Sequence, residues 1–353
     1  MVKITEGTFK IGDLDLYTRT WLPDDGAIKA KLILVHGFSD HCGLYDAFGS
    51  ALAAAAIGVF GFDQRGWGRS VRKPSDKGLT GGTAQVVSDI AAFVDSHLPS
   101  SSSSSSSSEP PVFVLGHSMG GGEVLALAGD PGHRATASRV RGWVLEAPFL
   151  GWAPGAEPSA LKIRAGRLAA RVLPRRQMVH RFAPEDLTRD PATVEVLRAD
   201  ELCHDTGTLE GLAALLDRTD ALVRNAVRID PSVVRGLWLG HGTADKATGY
   251  AFSSAWFGAQ TALADKTFRT YDGWYHQLHA EPERDVYFGH VIEWVLARVD
   301  EVPAVAAAAA AATVGTQAQA AAEGEAQGEG AAEAPGTEAE AKAAADDKPE
   351  SKL

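Results

Sequence analysis

The sequence predicts an α/β fold, in which a mostly parallel central sheet carries helices on both faces and is interrupted by a helical cap. Three observations predict it. Short, nearly unbroken apolar runs such as Leu32-Ile33-Leu34-Val35, Pro111-Val112-Phe113-Val114-Leu115 and Gly236-Leu237-Trp238-Leu239-Gly240 read as strands buried on both faces. These runs alternate with longer stretches of helical character, which is the rhythm of βα units. Between Ala147 and about Pro231 the rhythm stops for about 85 residues, far beyond an ordinary connection.

Taken in order, the chain predicts strands near 8–12 and 15–21. A buried strand at 31–36 leads to a helix over 44–55, and Ile57-Gly58-Val59-Phe60 opens a strand over 57–62. A helix at 83–97 precedes the strand at 111–116, and the small and apolar residues of 119–129 form a buried helix. A strand at 141–146 closes this half. Beyond the cap come a strand at 235–240, a helix at 249–263, a strand at 267–271 and a helix at 284–299. The core is therefore expected over 1–147 and 232–302, with the cap over 148–231.

In a parallel sheet the chemistry belongs at the carboxyl ends of the strands. Gly116-His117-Ser118-Met119-Gly120 stands at such an end and reads G-x-S-x-G between a strand and a helix, the context of a nucleophile elbow. The pentapeptide alone is a weak signal, but three further matches occur in the right order. His36-Gly37-Phe38 follows the strand at 31–36, where a second oxyanion donor belongs, so the backbone N–H groups of Phe38 and Met119 form the expected hole. His241-Gly242-Thr243-Ala244-Asp245 places a carboxylate just past a late strand, and Asp272-Gly273-Trp274-Tyr275-His276 places a base after the last one. Asp272 rivals Asp245, but a residue four positions from His276 on the same loop is poorly placed to orient the ring from behind. The expected constellation is thus Ser118 as nucleophile, His276 as base and Asp245 as orienting acid.

With these residues the chain resembles the monoacylglycerol lipases, their fungal-type branch in particular, within the α/β-hydrolase fold. The carrying motifs are His36-Gly37-Phe38-Ser39-Asp40-His41, Asp63-Gln64-Arg65-Gly66-Trp67-Gly68-Arg69-Ser70, Gly116 to Gly121, His241 to Asp245 and Tyr275-His276-Gln277-Leu278-His279. The last is the narrowest of them, and the resemblance covers roughly the first 300 residues. It implies the same three catalytic residues. It also implies substrate contacts at Asp40, Leu150, Leu197 and His279, with His279 near the glycerol end. The chain departs from the family pattern at Leu44, where the family often has arginine, at Asp40, where it has glutamate, and around Leu197, where animal members have tyrosine.

The remaining histidines and charges have ordinary structural readings. Asp63 and Arg65 are expected to hold the Gly-rich turn that follows them. His36, His117 and His241, each beside a strand end, read as structural or as supports behind the catalytic residues, with substrate contact as the lesser reading. His41, Cys42, Cys203 and His204 show no metal-ligand spacing, so no metal and no cofactor are expected. In the cap, Leu161, Ala165, Leu168, Ala169 and Val172 share one helical stripe flanked by Arg164, Arg167 and Arg171, with Arg175 and Arg176 beyond Pro174. That stripe either packs on the core or meets a membrane or lipid-droplet surface.

Composition bounds the rest. Six of the chain's eleven net negative charges fall in the segment 303–353, which has nine acids, three lysines and no aromatic residue and is expected to be disordered. The mildly acidic remainder argues against nucleic acid. Two cysteines give no disulfide framework and fit a reducing compartment. No segment reaches the roughly 18 apolar residues of a membrane span, and the start lacks a signal-peptide pattern. Residues 100–108 are a serine run, expected to be a solvated loop. Ser351-Lys352-Leu353 reads as a peroxisomal import address for its receptor, with the cytosol or a lipid-droplet surface as the alternative location.

The expected function is hydrolysis of monoacylglycerol to glycerol and fatty acid through an acyl-enzyme. The alternatives are a lysophospholipase or broad carboxylesterase and, more remotely, a non-catalytic ligand-binding protein. A dehalogenase or epoxide hydrolase would need an aspartate at position 118.

Overall fold

The computed structural model describes residues 1–99 and 109–300. The serine run, the segment 303–353 and its final tripeptide therefore lie outside the described residues.

The chain opens on a hairpin, β1 (Val2–Ile11) and β2 (Leu14–Pro23), closed by Gly12 at φ 58°. β3 (Ala30–Val35), α1 (Asp46–Ala54), β4 (Ile57–Phe62), α2 (Thr83–Asp95), β5 (Val112–His117) and α3 (Met119–Ala128) follow. A single-turn α4 (Arg134–Ala137) leads into β6 (Gly142–Glu146). The cap holds α5 (Ala160–Val172), β7 (Gln177–Val179), α6 (Pro184–Leu187), α7 (Pro191–Ala199), β8 (Thr206–Thr208) and α8 (Leu209–Val223). The chain then returns to the core with β9 (Gly236–Gly242), α9 (Tyr250–Ala259), β10 (Asp265–Tyr271) and α10 (Arg284–Leu296).

The central sheet has the order β1-β2-β4-β3-β5-β6-β9-β10. β1 and β2 run antiparallel to each other, and β2 antiparallel to β4. Every other pair is parallel. Each central strand reads as an unbroken apolar run because both of its faces are covered. Ile33 and Val35 point into one core with α2 and α3, while Leu32 and Leu34 point into the other with α1 and α10. Val114 and the pair Phe113 and Leu115 divide in the same way.

The first strand extends six residues further towards the N-terminus than the sequence predicts. Val2 to Gly7 pair with Thr18 to Pro23 through the backbone ladder, although most of these residues are exposed. Apolar periodicity cannot report such a strand. The cap is helical as expected but also contains the antiparallel pair β7–β8. It is anchored on the core by a buried ion pair, in which Arg218 Nη2 of α8 donates to Glu123 Oε1 of α3 at 3.0 Å.

Candidate active site

Ser118 stands between β5 and α3 with φ 53° and ψ −117°. A non-glycine residue held there is strained by about 1–3 kcal/mol and persists only where its surroundings over-determine it. The clamp comes from the neighbouring strand end. Ser118 N–H donates to Glu146 O at 2.9 Å, and its carbonyl accepts from Phe149 N–H at 2.8 Å. Space dictates the flanking glycines. A Cβ on Gly116 would stand 2.5 Å from Gly120 O, and one on Gly120 would stand 2.4 Å from Val35 O.

The loop after β3 carries Phe38 and is braced by Asp40. Asp40 Oδ2 accepts from Gly37 N–H at 3.0 Å and from the Tyr45 hydroxyl at 2.6 Å, while Oδ1 accepts from His41 N–H at 2.7 Å. Burial pushes the Asp40 carboxyl up, but His36, His117 and the Tyr45 bond outweigh it and hold the group below its ordinary value. His36 Nε2 accepts from Gln64 N–H at 2.9 Å and so ties this loop to the next one. There Asp63 accepts from Cys42 N–H at 2.9 Å and from Arg69 N–H at 2.7 Å, as its sequence position suggested. Arg65 reaches Asp89 of α2 at 2.7 Å. Phe38 and Met119 both border the cavity above Ser118, and neither amide has a protein acceptor among the described residues.

His276 Nε2 lies 2.8 Å from Ser118 Oγ, and its Nδ1 lies 2.8 Å from Asp245 Oδ2. An ionised carboxylate only accepts. Nδ1 therefore carries the proton, and Nε2 is free to accept from the serine hydroxyl. Asp245 is fixed from behind, with Oδ1 accepting from the amides of Ala247 at 2.7 Å and Thr248 at 2.8 Å. Burial opposes its ionisation, but His276 and His241 outweigh burial and hold the carboxyl far below the usual range. The rival Asp272 is exposed and accepts from Thr243 Oγ1 at 3.0 Å.

The cavity above Ser118 has a volume of about 220 Å³. Phe38 and Met119 line it from the core, Phe149 and Trp152 from the stretch that leaves β6, and Ile163, Leu197 and Leu216 from the rest of the cap. Few polar groups face it beyond those already named. His180, Asp205 and Gln277 are among them, and no periodicity in the cap's loops could have singled out the first two. Gln277 had a signal, since it is the middle residue of Tyr275-His276-Gln277-Leu278-His279.

This arrangement has relatives. The family model described as serine aminopeptidase, S33, matches residues 26–283. A putative monoglyceride lipase of Schizosaccharomyces pombe is 32% identical over 284 residues, covering 80% of this chain and 71% of that protein. A rat monoglyceride lipase is 32% identical over 289 residues, covering 80% of this chain and 88% of its own. The chain belongs to the monoacylglycerol lipase family of α/β-hydrolases. It is a serine ester hydrolase by that membership. Its fold matches a soluble variant of monoglyceride lipase from Saccharomyces cerevisiae, crystallised with a substrate analogue, at a TM-score of 0.73 and 21% identity, over 84% of this chain and 97% of that one.

Within this family fold, two of the substrate contacts expected from sequence are corrected. His279 does not face the cavity. Its N–H and Nδ1 lie 2.9 and 2.7 Å from Glu146 Oε1, and its ring stacks on Tyr45 at 4.1 Å between centroids. Burial would raise the Glu146 carboxyl, but His279 and His117 outweigh burial and bring it down to about 2. His117 borders the cavity, and burial pushes its imidazole down to about 3, so it is neutral near neutral pH. Leu150 is the second correction. It is 1% exposed within the core of the α2–α3 face and does not line the cavity. Asp40 and Leu197 do border the cavity.

Among the described residues two trios bring possible metal-ligand atoms within 4.8 Å, His41 with Asp200 and Cys203, and His117 with Glu146 and His279. Neither was visible as a spacing, because the partners are far apart in sequence. In the first trio His41 Nε2 already bonds Asp200 at 2.9 Å, and burial pushes the Cys203 thiol up, away from the thiolate a metal needs. In the second, Glu146 already accepts from the N–H and the ring of His279 and from the Tyr287 hydroxyl at 3.1 Å.

The cap stripe also has a definite position. Leu161, Leu168 and Val172 are 79%, 64% and 75% exposed, and no residue of α5 is buried. Core packing of that stripe is therefore overturned. The opposite side of α5 lines the cavity through Lys162, Ile163, Gly166 and Arg167. Arg167 pairs with Asp217 at 2.8 Å and Asp220 at 2.7 Å on α8, so it braces the cap. Arg164 and Arg171 remain exposed beside the stripe.

Proposed function

We propose that this chain hydrolyses monoacylglycerol to glycerol and a free fatty acid. The observation that carries the reading is the unbroken hydrogen-bonded chain Ser118–His276–Asp245 at the floor of a largely apolar cavity. Ser118 Oγ attacks the ester carbonyl while His276 Nε2 takes its proton. The Phe38 and Met119 amides hold the oxyanion, and the apolar walls hold the acyl chain. His276 then protonates the departing glycerol oxygen, and water, activated by the same imidazole, cleaves the acyl-enzyme. Asp245 keeps His276 in the competent tautomer. A fluorophosphonate probe is expected to label Ser118, which a silent ligand-binding protein would not allow. Paired monoacylglycerol and lysophospholipid substrates with the same acyl chain test the head group. A higher kcat/KM on the lysophospholipid would replace the reading.

The exposed stripe of α5 supports a lipid-surface contact, because only the thickness of one helix separates it from the cavity. Arg164 and Arg171 flank it, and Arg175 and Arg176 follow, all exposed and suited to anionic head groups. Among the described residues no helix is long and apolar enough to cross a membrane. Replacing Arg164 and Arg171 by glutamine is expected to lower activity on substrate carried in anionic vesicles several-fold and to spare a short soluble ester. Equal effects on both substrates would refute the contact.

We also infer a peroxisomal address in Ser351-Lys352-Leu353. The protein fused behind a fluorescent N-terminal tag is expected to overlap a peroxisomal marker and to lose that overlap when the tripeptide is deleted. A distribution unchanged by the deletion would refute the address.

A further inference from the structure

Asp245 carries two imidazoles on one oxygen. His276 Nδ1 lies 2.8 Å from its Oδ2, and His241 Nε2 lies 3.0 Å from the same atom. His241 sits at the end of β9 and is fully buried. Its other ring nitrogen, Nδ1, lies 2.9 Å from Ser253 Oγ on α9, itself fully buried. The protons follow from acceptor capacity. The carboxylate can only accept, so His241 Nε2 carries a proton, and in the neutral ring Nδ1 must accept from the Ser253 hydroxyl. The carboxylate thus fixes the tautomer of His241, and the Ser253 hydroxyl completes it by donating to Nδ1.

We propose that His241, anchored on its far nitrogen by Ser253, is a positioning residue for ester hydrolysis, extending the hydrogen-bonded chain to Ser253–His241–Asp245–His276–Ser118. The inference rests on the proposed roles of Ser118 and His276.

The arrangement has two consequences. The first is geometric. Asp245 Oδ1 is taken by the Ala247 and Thr248 amides, and Oδ2 is met by the Thr248 hydroxyl at 2.8 Å and by His241. With donors on both sides, Oδ2 cannot turn away from His276. The second is electrostatic. A donor to the carboxylate withdraws charge from it, which keeps it ionised and limits how strongly it draws a proton onto His276. Few other titratable groups face this pair. His117 of β5 stands 4.8 Å from the His276 ring and has His279 at 5.2 Å behind it, while Tyr250 of α9 meets His241 edge-on at 5.8 Å. Of these, only His241 touches the carboxylate beside His276.

The test compares kcat, KM and the pH profile of kcat/KM on a soluble short-chain ester for the full chain and for His241→Ala, His241→Gln and Ser253→Ala. A lost hydrogen bond to a charged group predicts that His241→Ala lowers kcat by about tenfold to a hundredfold with KM within about twofold. Its acidic limb is expected to move to higher pH by roughly half a unit, because the uncompensated carboxylate raises the basicity of His276. Glutamine offers an amide donor and is expected to restore most of kcat. Ser253→Ala removes only a hydroxyl, and is expected to move both readouts in the same direction by less. If His241→Ala does not fold, Ser253→Ala carries the test alone. A normal kcat with an unmoved limb overturns the proposal. So does a reduced kcat with an unmoved limb, since that is what a packing role alone would give. Failure of the unaltered protein to react with a fluorophosphonate would overturn the assignment of Ser118 instead, and the two failures are thereby told apart.

Discussion

Replacing Ser118 by alanine is expected to lower ester hydrolysis by ~10⁴-fold or more while leaving the protein folded. The loss is large because Oγ is the atom proposed to form the acyl-enzyme, and among the described residues no second hydroxyl or thiol is bonded to His276 Nε2 in its place. Thr248 Oγ1 is near His276, but at 3.3 Å from Nδ1, on the side of Asp245. The fold survives because what fixes the elbow is backbone. The bonds from Ser118 N–H to Glu146 O and from Phe149 N–H to Ser118 O are untouched, and the serine side chain caps nothing at the start of α3. Alanine meets the same positive φ at a similar cost. Steady-state kinetics with thermal unfolding of the same samples checks both halves. Residual turnover above about 1% of the original would sink the assignment.

Much of this site was legible because its parts are local. The elbow needs small residues at fixed offsets around a serine, and Gly116 and Gly120 announce a turn whose backbones approach to where any Cβ would collide. The strands that lift Phe38, Ser118, Asp245 and His276 to one sheet edge are buried on both faces, so their apolar runs are plain. Asp245 was separable from Asp272 on reach alone, and the structure puts Asp245 on His276 while Asp272 turns to Thr243.

What sequence could not supply depends on which way a residue faces. The stripe of α5 has the periodicity of an amphipathic helix whichever side is covered, and only the tertiary arrangement shows that it points outward while Lys162 and Ile163 face the cavity. Leu150 lies just beyond β6, close to the mouth of the site in sequence, yet it turns into the core. β7 and β8 are three residues each, too short for any period to register. The Ser253–His241–Asp245 link was hidden for a different reason. Its members come from a strand end, a loop and a helix, and what makes them a unit is the choice of tautomer, which no spacing encodes.

The two histidines of the last motif give the sharpest contrast. His276→Ala is expected to reduce kcat/KM by ~10⁴-fold, close to the effect of Ser118→Ala, because nucleophile and base act as one unit and removing either leaves only the oxyanion hole and binding. His279→Ala is expected to act mainly on stability. Its ring fills the space against Tyr45 and satisfies Glu146, a carboxylate that is 1% exposed and whose charge depends on that histidine. Stripping one partner from such a buried pair costs about 3–5 kcal/mol. The sign with pH follows. The Glu146 carboxyl is held down to about 2 against an ordinary value of 4.5, so its contribution to stability is present above about pH 4.5 and is lost as pH falls towards 2. His279→Ala should therefore unfold at markedly lower temperature near neutral pH and show a flatter stability profile across that acidic window. Activity per folded molecule, measured well below its unfolding temperature, should fall far less than in His276→Ala. Equal losses in the two variants, with both fully folded, would mean that the hydrogen bond from Ser118 to His276 is not the one that moves the proton.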